Sequence, residues 1–371
     1  FKALSDDVVA KNLKVSKIDA LFDPTITLVI GTSYFLAIAF GAQMVFQNEI
    51  TLGQLITFTT YLGMLVWPLL ALGLFFNIVQ RAKASYERID EIENLPNDIE
   101  TTYKIDGPPT GDIIFNIEQF NFPGNDEQGL YGIHFSVKQG STLGIVGRTG
   151  SGKSALIRLL LREFDTKRPQ DITYGGHPIR DYNVKHLRAQ FGYVPQEHFL
   201  FSTTIRNNIA FSNEEIDDDS IYEASRLSHI HDDIMAFPNS YHTVVGERGV
   251  SLSGGQKQRV SIARALLVDP EVLILDDSLS AVDAQTEEAI LANLESVRNG
   301  KTNIITAHRM SAVKHADFII VLDEGTIVES GTHNSLIEKK GWYYETYQAQ
   351  ALQDKLSRNL DHLTKGGDEN D

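Results

Sequence analysis

Two long uncharged stretches lie in the first quarter of the chain, one directly after the other. The first fills the 25 positions between Asp23 and Glu49, and the second covers the 31 positions from Ile50 to Gln80. A helix of about 20 apolar residues is long enough to cross the hydrocarbon of a bilayer. The pattern therefore predicts a hairpin of two membrane-spanning helices, at residues 24–46 and 52–80.

Basic side chains flank this hairpin on its outer sides and are missing from its tip. Four lysines precede it, and Arg81, Lys83 and Arg88 follow it, whereas the link at 47–49 has no Lys or Arg. Because basic residues favour the cytoplasmic side, both ends of the hairpin are expected there, with the lipid bilayer as a partner. The alternative is a pair of buried helices in a soluble core, but such helices usually keep a polar face.

A stretch rich in proline and glycine separates the hairpin from the remaining sequence. We predict a membrane segment at residues 1–95, a linker at 96–111, a second domain at 112–352 and a polar tail at 353–371. Phe1 is not followed by the pattern of a signal peptide. We therefore expect the sequence to be the carboxy-terminal fragment of a longer protein.

Charge and composition exclude several kinds of function. The formal net charge is −16, and there is no cysteine. Nucleic acid is not an expected partner, since broad attraction to its phosphates requires clustered Lys and Arg. The lack of cysteine excludes disulfides, thiolate metal sites and a cysteine nucleophile.

A glycine-rich loop in the second domain stands between a predicted strand and a predicted helix. The apolar run STLGIVG leads into GRTGSGKS, and the helical pattern ALIRLLLREF follows. In such a loop the main-chain N–H groups surround phosphates, the lysine reaches the outer phosphates and the hydroxyl binds Mg²⁺. We therefore predict ATP and Mg²⁺ as ligands. The predicted ATP-binding residues of this loop are Gly147, Arg148, Thr149, Gly150, Ser151, Gly152, Lys153, Ser154 and Ala155.

Two further segments have patterns that suit a phosphate site. EVLILDDS is typical of a buried parallel strand that ends in Asp276 and Asp277, and Asp276 is expected to orient Mg²⁺. SLSGGQKQRVSIARAL starts a helix at Ser253, Gly254 and Gly255, whose N–H groups can receive a second phosphate.

The sequence LSGGQ, placed between the glycine-rich loop and the acidic strand, resembles the signature of ABC transporters. The chain as a whole resembles the last third of the membrane domain and the nucleotide-binding domain of an ABC exporter half-transporter. This resemblance implies the last two helices of a six-helix membrane domain. An α/β P-loop NTPase domain with a RecA-like core and a helical subdomain should follow them.

Other motifs of the family match single positions of this sequence. Phe122 stands where an aromatic ring stacks on adenine, and Gln196 in YVPQ resembles the Q-loop residue that senses the γ-phosphate and Mg²⁺. Asp283 in SAVD resembles the D-loop, His308 in TAHR the switch histidine, and Glu247 in VGERG the X-loop of exporters. The resemblance thereby implies that Ser154, Gln196 and Asp276 bind the metal. It implies catalytic roles for Asp277, His308 and Gln196. Further ATP contacts are implied for Phe122, Gln196, Ser253, Gly254, Gly255, Gln256, Asp276, Asp283 and His308.

Asp277 departs from the family pattern. Members that hydrolyse ATP efficiently carry Glu at this position as the general base. The shorter Asp withdraws the carboxylate by about 1 Å, and a misplacement of that size can cost about 100-fold in rate. This resembles the subunit of heterodimeric bacterial multidrug exporters whose own site is degenerate. In that interpretation Ser253 and Gly255 complete an active site to which the partner contributes the Glu.

The resemblance implies that this chain pairs with a second half-transporter. Together the two would couple ATP hydrolysis to the export of amphipathic small molecules. The nucleotide-binding domain should then lie in the cytoplasm, beneath a bacterial plasma membrane. Two alternatives stay open: a homodimeric exporter of lipids or peptides, and a soluble ABC-type ATPase without a transport role.

Overall fold

The computed structural model describes residues 2–95, 99, 102–124, 129–211, 215–246 and 252–365. These residues divide into two compact units after residue 96. The first unit contains two helices, and the second contains two sheets with the remaining helices.

The first unit is a pair of long helices, α1 (Lys2–Phe46) and α2 (Leu52–Glu93). Both are long and apolar enough to span a membrane, by length and composition. Apolar side chains are exposed along them, with Leu28 69% and Trp67 72% accessible. Within α2, all of whose residues the structure describes, no residue is buried. Exposure of this kind suits lipid as the surrounding medium and disfavours the alternative of a soluble core.

Small residues let α1 and α2 approach each other. A Cβ atom added at Gly41 would lie 2.2 Å from Leu55 Cδ1, and one at Gly63 would lie 2.4 Å from the Tyr34 hydroxyl. Close approach through glycine is a common way for membrane helices to pack. Thr51 caps the start of α2 through a capping box with Gln54, which explains why the turn ends there.

The second unit is built on two sheets. Its strands are β1 (Ile113–Asn121), β2 (Gly129–Val137), β3 (Thr142–Gly147), β4 (Ile172–Tyr174), β5 (His177–Pro178), β6 (Phe191–Val194), β7 (Val272–Asp276), β8 (Thr302–Ala307), β9 (Phe318–Asp323) and β10 (Thr326–Gly331). The small antiparallel sheet has the order β2-β1-β4-β5, and the large sheet has the order β10-β9-β3-β8-β7-β6. In the large sheet β9, β3, β8, β7 and β6 are parallel, and β10 pairs antiparallel with β9.

Helices cover the sheets. They are α3 (Lys153–Leu160), α4 (Val184–Arg188), α5 (Ile205–Ile209), α6 (Asp218–Leu227), α7 (His231–Ala236), α8 (Gly254–Leu267), α9 (Ala284–Val297), α10 (His333–Lys339) and α11 (Trp342–Lys365). Four of them, α5 to α8, follow one another in the chain segment that connects β6 to β7. The stretch from α5 to α8 corresponds to the helical subdomain that the sequence predicted.

The core lies on both faces of the large sheet, because its central strands are buried throughout. Every position of β7 is buried. Val272 and Ile274 pack into the cluster shared with the small sheet and α3, whereas Leu273 and Leu275 pack into the cluster shared with α5 to α9. Continuous burial of this kind is expected of a parallel strand covered on both sides. It holds the tips of β3, β7 and β8 at one edge of the sheet.

The segment predicted as a polar tail from residue 353 onward is helical as far as Lys365 in the structure, where it extends α11. Its sequence QDKLSRNLDHLTK is rich in residues of good helix propensity, so polarity did not prevent a helix. Residues 366–371 lie outside the described part.

Candidate nucleotide-binding site

The loop between β3 and α3 has a backbone that only glycine tolerates easily. Gly147, Gly150 and Gly152 have φ angles of 151°, 82° and 105°. A Cβ atom at Gly147 would lie 2.1 Å from the Leu322 carbonyl oxygen of β9. The glycines therefore serve both the conformation of the loop and its close approach to the neighbouring strand.

Lys153 is buried at the start of α3, with 7% of its surface accessible. Its Nζ donates to the carbonyl oxygens of Gly147 and Arg148, each at 2.9 Å. Burial lowers the pKa of Lys153, while Asp277 and Asp276 act in the opposite direction. The ammonium is thus held inside the loop, and no carboxylate among the described residues forms an ion pair with it, which leaves it available for an anionic ligand.

Asp276, the last residue of β7, accepts hydrogen bonds from three side chains of the site and is 3% exposed. Its Oδ1 accepts from Thr306 Oγ1 at 2.7 Å and from Ser154 Oγ at 3.3 Å. Its Oδ2 accepts from the Tyr193 hydroxyl at 3.3 Å. Burial, followed by the neighbouring Asp276 carboxylate, raises the pKa of Tyr193, so this hydroxyl remains a donor. Three donors from three elements fix the carboxylate, which brings the predicted metal ligands Ser154 and Asp276 together.

Asp277 adopts a left-handed backbone conformation with φ of 48°, which Asp tolerates better than most residues. Its N–H donates to Thr306 Oγ1 at 2.9 Å and to the Thr306 carbonyl at 3.1 Å. Its Oδ2 lies 4.0 Å from Nε2 of His308. Burial raises the pKa of the Asp277 carboxyl, against the opposing influence of His308 and Lys153. A carboxylate of raised pKa beside an imidazole has the chemistry of a general base.

We expect Thr306→Val to weaken this edge of the sheet. Thr306 Oγ1 donates to Asp276 and accepts from the Asp277 N–H, so valine removes a donor from a buried carboxylate at almost constant volume. The free energy of unfolding should fall by about 1–3 kcal/mol. Thermal unfolding of the purified protein measures this loss.

The matched control is Thr243→Val, since Thr243 Oγ1 is buried without a hydrogen-bond partner among the described residues. That change should leave stability unaltered or raise it. Equal losses in the two variants would contradict the role given to Thr306.

Phe122 follows the end of β1 and is partly buried. Its ring packs edge-on against Phe120 and Phe164, with centroids 5.2 Å away in both cases. The Arg158 guanidinium carbon lies 5.7 Å from the ring centroid. The rings around Phe122 hold it in place, so its exposed part can serve as an aromatic surface for a base.

The signature segment begins α8 with a capping box. Ser253 is the N-cap and accepts from the Gln256 N–H at 3.2 Å, while Gln256 Oε1 accepts from the Ser253 N–H at 3.0 Å. Gln256 Nε2 also donates to Asp233 of α7 at 3.0 Å. Within this chain Gln256, which is predicted to contact ATP, stabilises the start of α8. A Cβ atom at Gly255 would lie 2.9 Å from the Ala281 carbonyl, so glycine is needed there.

Two further predicted residues, Asp283 and Gln196, share no hydrogen bond with Ser154 or Asp276 in the described part of the chain. Asp283 caps α9 and accepts from the N–H groups of Gln285 and Thr286, whose hydrogen bonds lower its pKa. Gln196 is exposed beyond β6, and no hydrogen bond joins it to Ser154 or Asp276 in the described structure. Glu247 lies outside the described residues.

Sequence reasoning missed the residues that connect these motifs. Tyr193 and Thr306 hold Asp276, and the buried Gln258 joins α8 to the segment after β7. Gln258 donates from Nε2 to Ser280 Oγ at 3.3 Å and accepts from the Ala281 N–H at 3.0 Å. Their only signal in the sequence is a polar residue within an apolar strand or a buried helix face, which also occurs for structural reasons.

The residues present fit ATP and Mg²⁺. The hydroxyl of Ser154 and the carboxylate of Asp276 are oxygen donors of the kind that Mg²⁺ prefers. Ser151 Oγ is buried inside the loop without a hydrogen-bond partner among the described residues, which leaves it free for a phosphate oxygen.

The signature residues share no hydrogen bond or ion pair with the loop at 147–154 in the described part of the chain.

Comparison with known protein families supports the same interpretation. Residues 130–280 match the model described as ABC transporter, and residues 1–69 match the model described as ABC transporter transmembrane region. The predicted order of membrane helices followed by an α/β nucleotide-binding domain is confirmed by these matches and by the solved structure below.

Curated relatives are similar over almost the whole chain. The Bacillus subtilis protein described as probable multidrug resistance ABC transporter ATP-binding/permease protein YheI is 46% identical over 95% of this chain and 60% of its own length. The Escherichia coli multidrug resistance-like ATP-binding protein MdlA is 45% identical over 96% of this chain and 60% of its own length. The chain thus spans about 60% of the length of these two relatives.

A solved structure has the same fold. A bacterial Atm1-family ABC exporter with ATP bound superposes with a TM-score of 0.82 at 32% sequence identity. The superposition covers 90% of this chain and 59% of the exporter chain.

Proposed function

We propose that this chain, which carries the transmembrane region and the ATP-binding domain of an ABC exporter half-transporter, couples ATP hydrolysis to export across a membrane. The observation that carries the proposal is the convergence of Lys153, Ser154 and Asp276 in a domain that follows two membrane helices. The protein is a membrane protein with a cytoplasmic nucleotide-binding domain. The cargo is proposed to be amphipathic small molecules, as the names of the multidrug relatives suggest.

Each residue of the site has a role set by its position. Lys153 would bind the outer phosphates and Ser154 and Asp276 would hold Mg²⁺, while Thr306 and Tyr193 keep Asp276 in place. When bound, Mg²⁺ neutralises charge that develops on the phosphates. Asp277 orients water and accepts a proton from it.

We further propose that a different half-transporter is the partner of this chain. In a head-to-tail dimer each ATP lies between the loop of one subunit and the signature of the other, which makes the two sites separable. Asp277 makes the site of this chain slow, whereas its signature at Ser253 and Gly255 is intact. The chain would then hold ATP at its own loop and serve hydrolysis at the partner's loop.

Replacement of Asp277 by Asn in the assembled full-length complex tests this asymmetry. We expect the complex to keep most of its ATP turnover, because the partner's site performs the hydrolysis. Steady-state ATP hydrolysis in lipid is the measurement. Near-total loss of turnover would contradict the proposal and favour a homodimer in which Asp277 is the working base.

A contrasting variant, Ser253→Asp, probes the signature in the same complex. Asp is as good an N-cap as Ser, so α8 keeps its start. The added negative charge faces the phosphates of the partner's ATP, and turnover should fall strongly. Comparison of the full-length chain purified alone with the complex then separates the homodimer from the heterodimer.

A further inference from the structure

The loop that follows β8, residues 308–311, is held from two sides, and we call it the switch loop. On one side stands Gln350 of α11. Its Nε2 donates to the His308 carbonyl at 2.8 Å, and its Oε1 accepts from the Met310 N–H at 2.8 Å. A single side-chain amide therefore satisfies a main-chain acceptor and a main-chain donor of the loop at once.

On the other side stands Glu287 of α9, which is 2% exposed. Its Oε1 accepts from Ser311 Oγ at 2.7 Å and its Oε2 accepts from the Arg309 guanidinium at 3.1 Å. The same guanidinium donates to the Val282 carbonyl at 3.3 Å, next to Asp283. Glu287 thus fixes side chains of the switch loop, whereas Gln350 fixes its main chain.

Gln350 is not required for docking of α11 onto the domain. Apolar packing performs that task, since Tyr343 is fully buried in the core and Trp342 and Tyr347 pack against it. Gln350, in contrast, lines an open groove of about 780 Å³ together with Glu287, His308 and Arg309. Water in this groove would compete for the His308 carbonyl and the Met310 N–H if the amide were absent.

We propose that Gln350 is a positioning residue for His308, through which the carboxy-terminal helix controls the placement of the switch histidine relative to Asp277. The imidazole Nε2 lies 4.0 Å from Asp277 Oδ2, so a small shift of the loop changes this pair. The effect of this positioning on ATP hydrolysis rests on the proposed function, whereas the two hydrogen bonds from Gln350 to the switch loop do not.

The test compares Gln350→Leu and Gln350→Glu in the full-length complex, with Gln348→Leu as the matched control. Leucine keeps the volume and removes both hydrogen bonds. Glutamate keeps an acceptor for the Met310 N–H and loses the donor to the His308 carbonyl. Gln348 lies on the same helix and is exposed, so its replacement reports any general effect of a Gln→Leu change.

The first readout is hydrogen exchange of the Met310 amide without nucleotide. We expect exchange to accelerate at least about tenfold in Gln350→Leu, and to stay close to the wild-type rate in Gln350→Glu and Gln348→Leu. Unchanged exchange in Gln350→Leu would overturn the proposal. So would an equal acceleration in Gln348→Leu, because that would indicate loosening of the whole helix.

The second readout is ATP turnover in an Asp277→Glu background, where the site of this chain should hydrolyse ATP. Gln350→Leu should lower kcat about tenfold while KM for ATP changes less than about twofold, as expected when a catalytic group is displaced and binding is kept. A KM change equal to the kcat change would overturn the positioning role. If the Asp277→Glu background itself shows no gain, the proposal that Asp277 makes this site slow fails, while the exchange result still decides whether Gln350 holds the switch loop.

Discussion

Replacement of Asp277 by Glu is expected to raise ATP turnover at the P-loop of this chain by about 100-fold, which corresponds to a barrier lower by about 2.7 kcal/mol. The backbone at residue 277 is fixed by two hydrogen bonds from its N–H to Thr306, so the added methylene carries the carboxylate outward. Under the proposal that Asp277 is too short, the longer carboxylate should then reach the attacking water. Turnover is measured in a complex whose partner site has been disabled at its own catalytic carboxylate.

The control for this gain is Asp277→Asn in the same complex, which cannot act as a base and should show no increase. Glutamate at a φ of 48° is less well tolerated than aspartate, so a slight loss of stability is expected alongside the gain. An unchanged rate in Asp277→Glu would show that the length of the carboxylate does not limit hydrolysis. That result would contradict the proposal that Asp277 makes the site of this chain slow.

Lys153→Ala is expected to lower the affinity of this chain for ATP by about 100-fold, or about 2.7 kcal/mol, the contribution of a strong hydrogen bond to a charged group. The ammonium is buried at 7% exposure and is held by the carbonyls of Gly147 and Arg148. Alanine removes both the cation and the contact that shapes the loop. Equilibrium binding of a fluorescent ATP analogue to the full-length protein measures the loss.

Two variants control for this result. Lys185→Ala removes an exposed lysine of α4 and should leave the affinity for ATP unchanged. Lys153→Arg keeps the charge but brings a larger planar group into a buried position, so it should not restore binding fully. Full affinity in Lys153→Ala would contradict the assignment of the loop as the phosphate site.

The parts of the site that could be predicted are those encoded by short spacing. Gly147, Gly152, Lys153 and Ser154 lie within eight positions, and their required conformations and chemistry follow from that spacing alone. The position of Asp276 at the end of a buried run also follows from its local pattern. Local patterns predicted the membrane hairpin as well, since an uncharged length is a property of continuous sequence.

The parts that could not be predicted depend on residues that are distant in the chain. Gln256 matches the signature motif, but its hydrogen bond to Asp233 of α7 joins two helices and could not be inferred from that motif. Ser154 and Asp276 were expected to bind the same ion only through the family resemblance, because 122 positions separate them and no local pattern places them together. Which polar residue reaches which carboxylate is decided by the order of strands in the large sheet, and β8 lies between β3 and β7 there.

The sequence by itself therefore determined the membrane hairpin, the phosphate-binding loop and the shortened carboxylate at Asp277, because each depends on residue type and local spacing. Only the tertiary structure decided that Thr306 holds Asp276, that Gln258 joins the signature helix to the segment after β7, and that Gln350 holds the switch loop. Each of these contacts joins elements far apart in the chain. Such contacts arise from the packing of buried strands and helices, which fixes distances that no local pattern encodes.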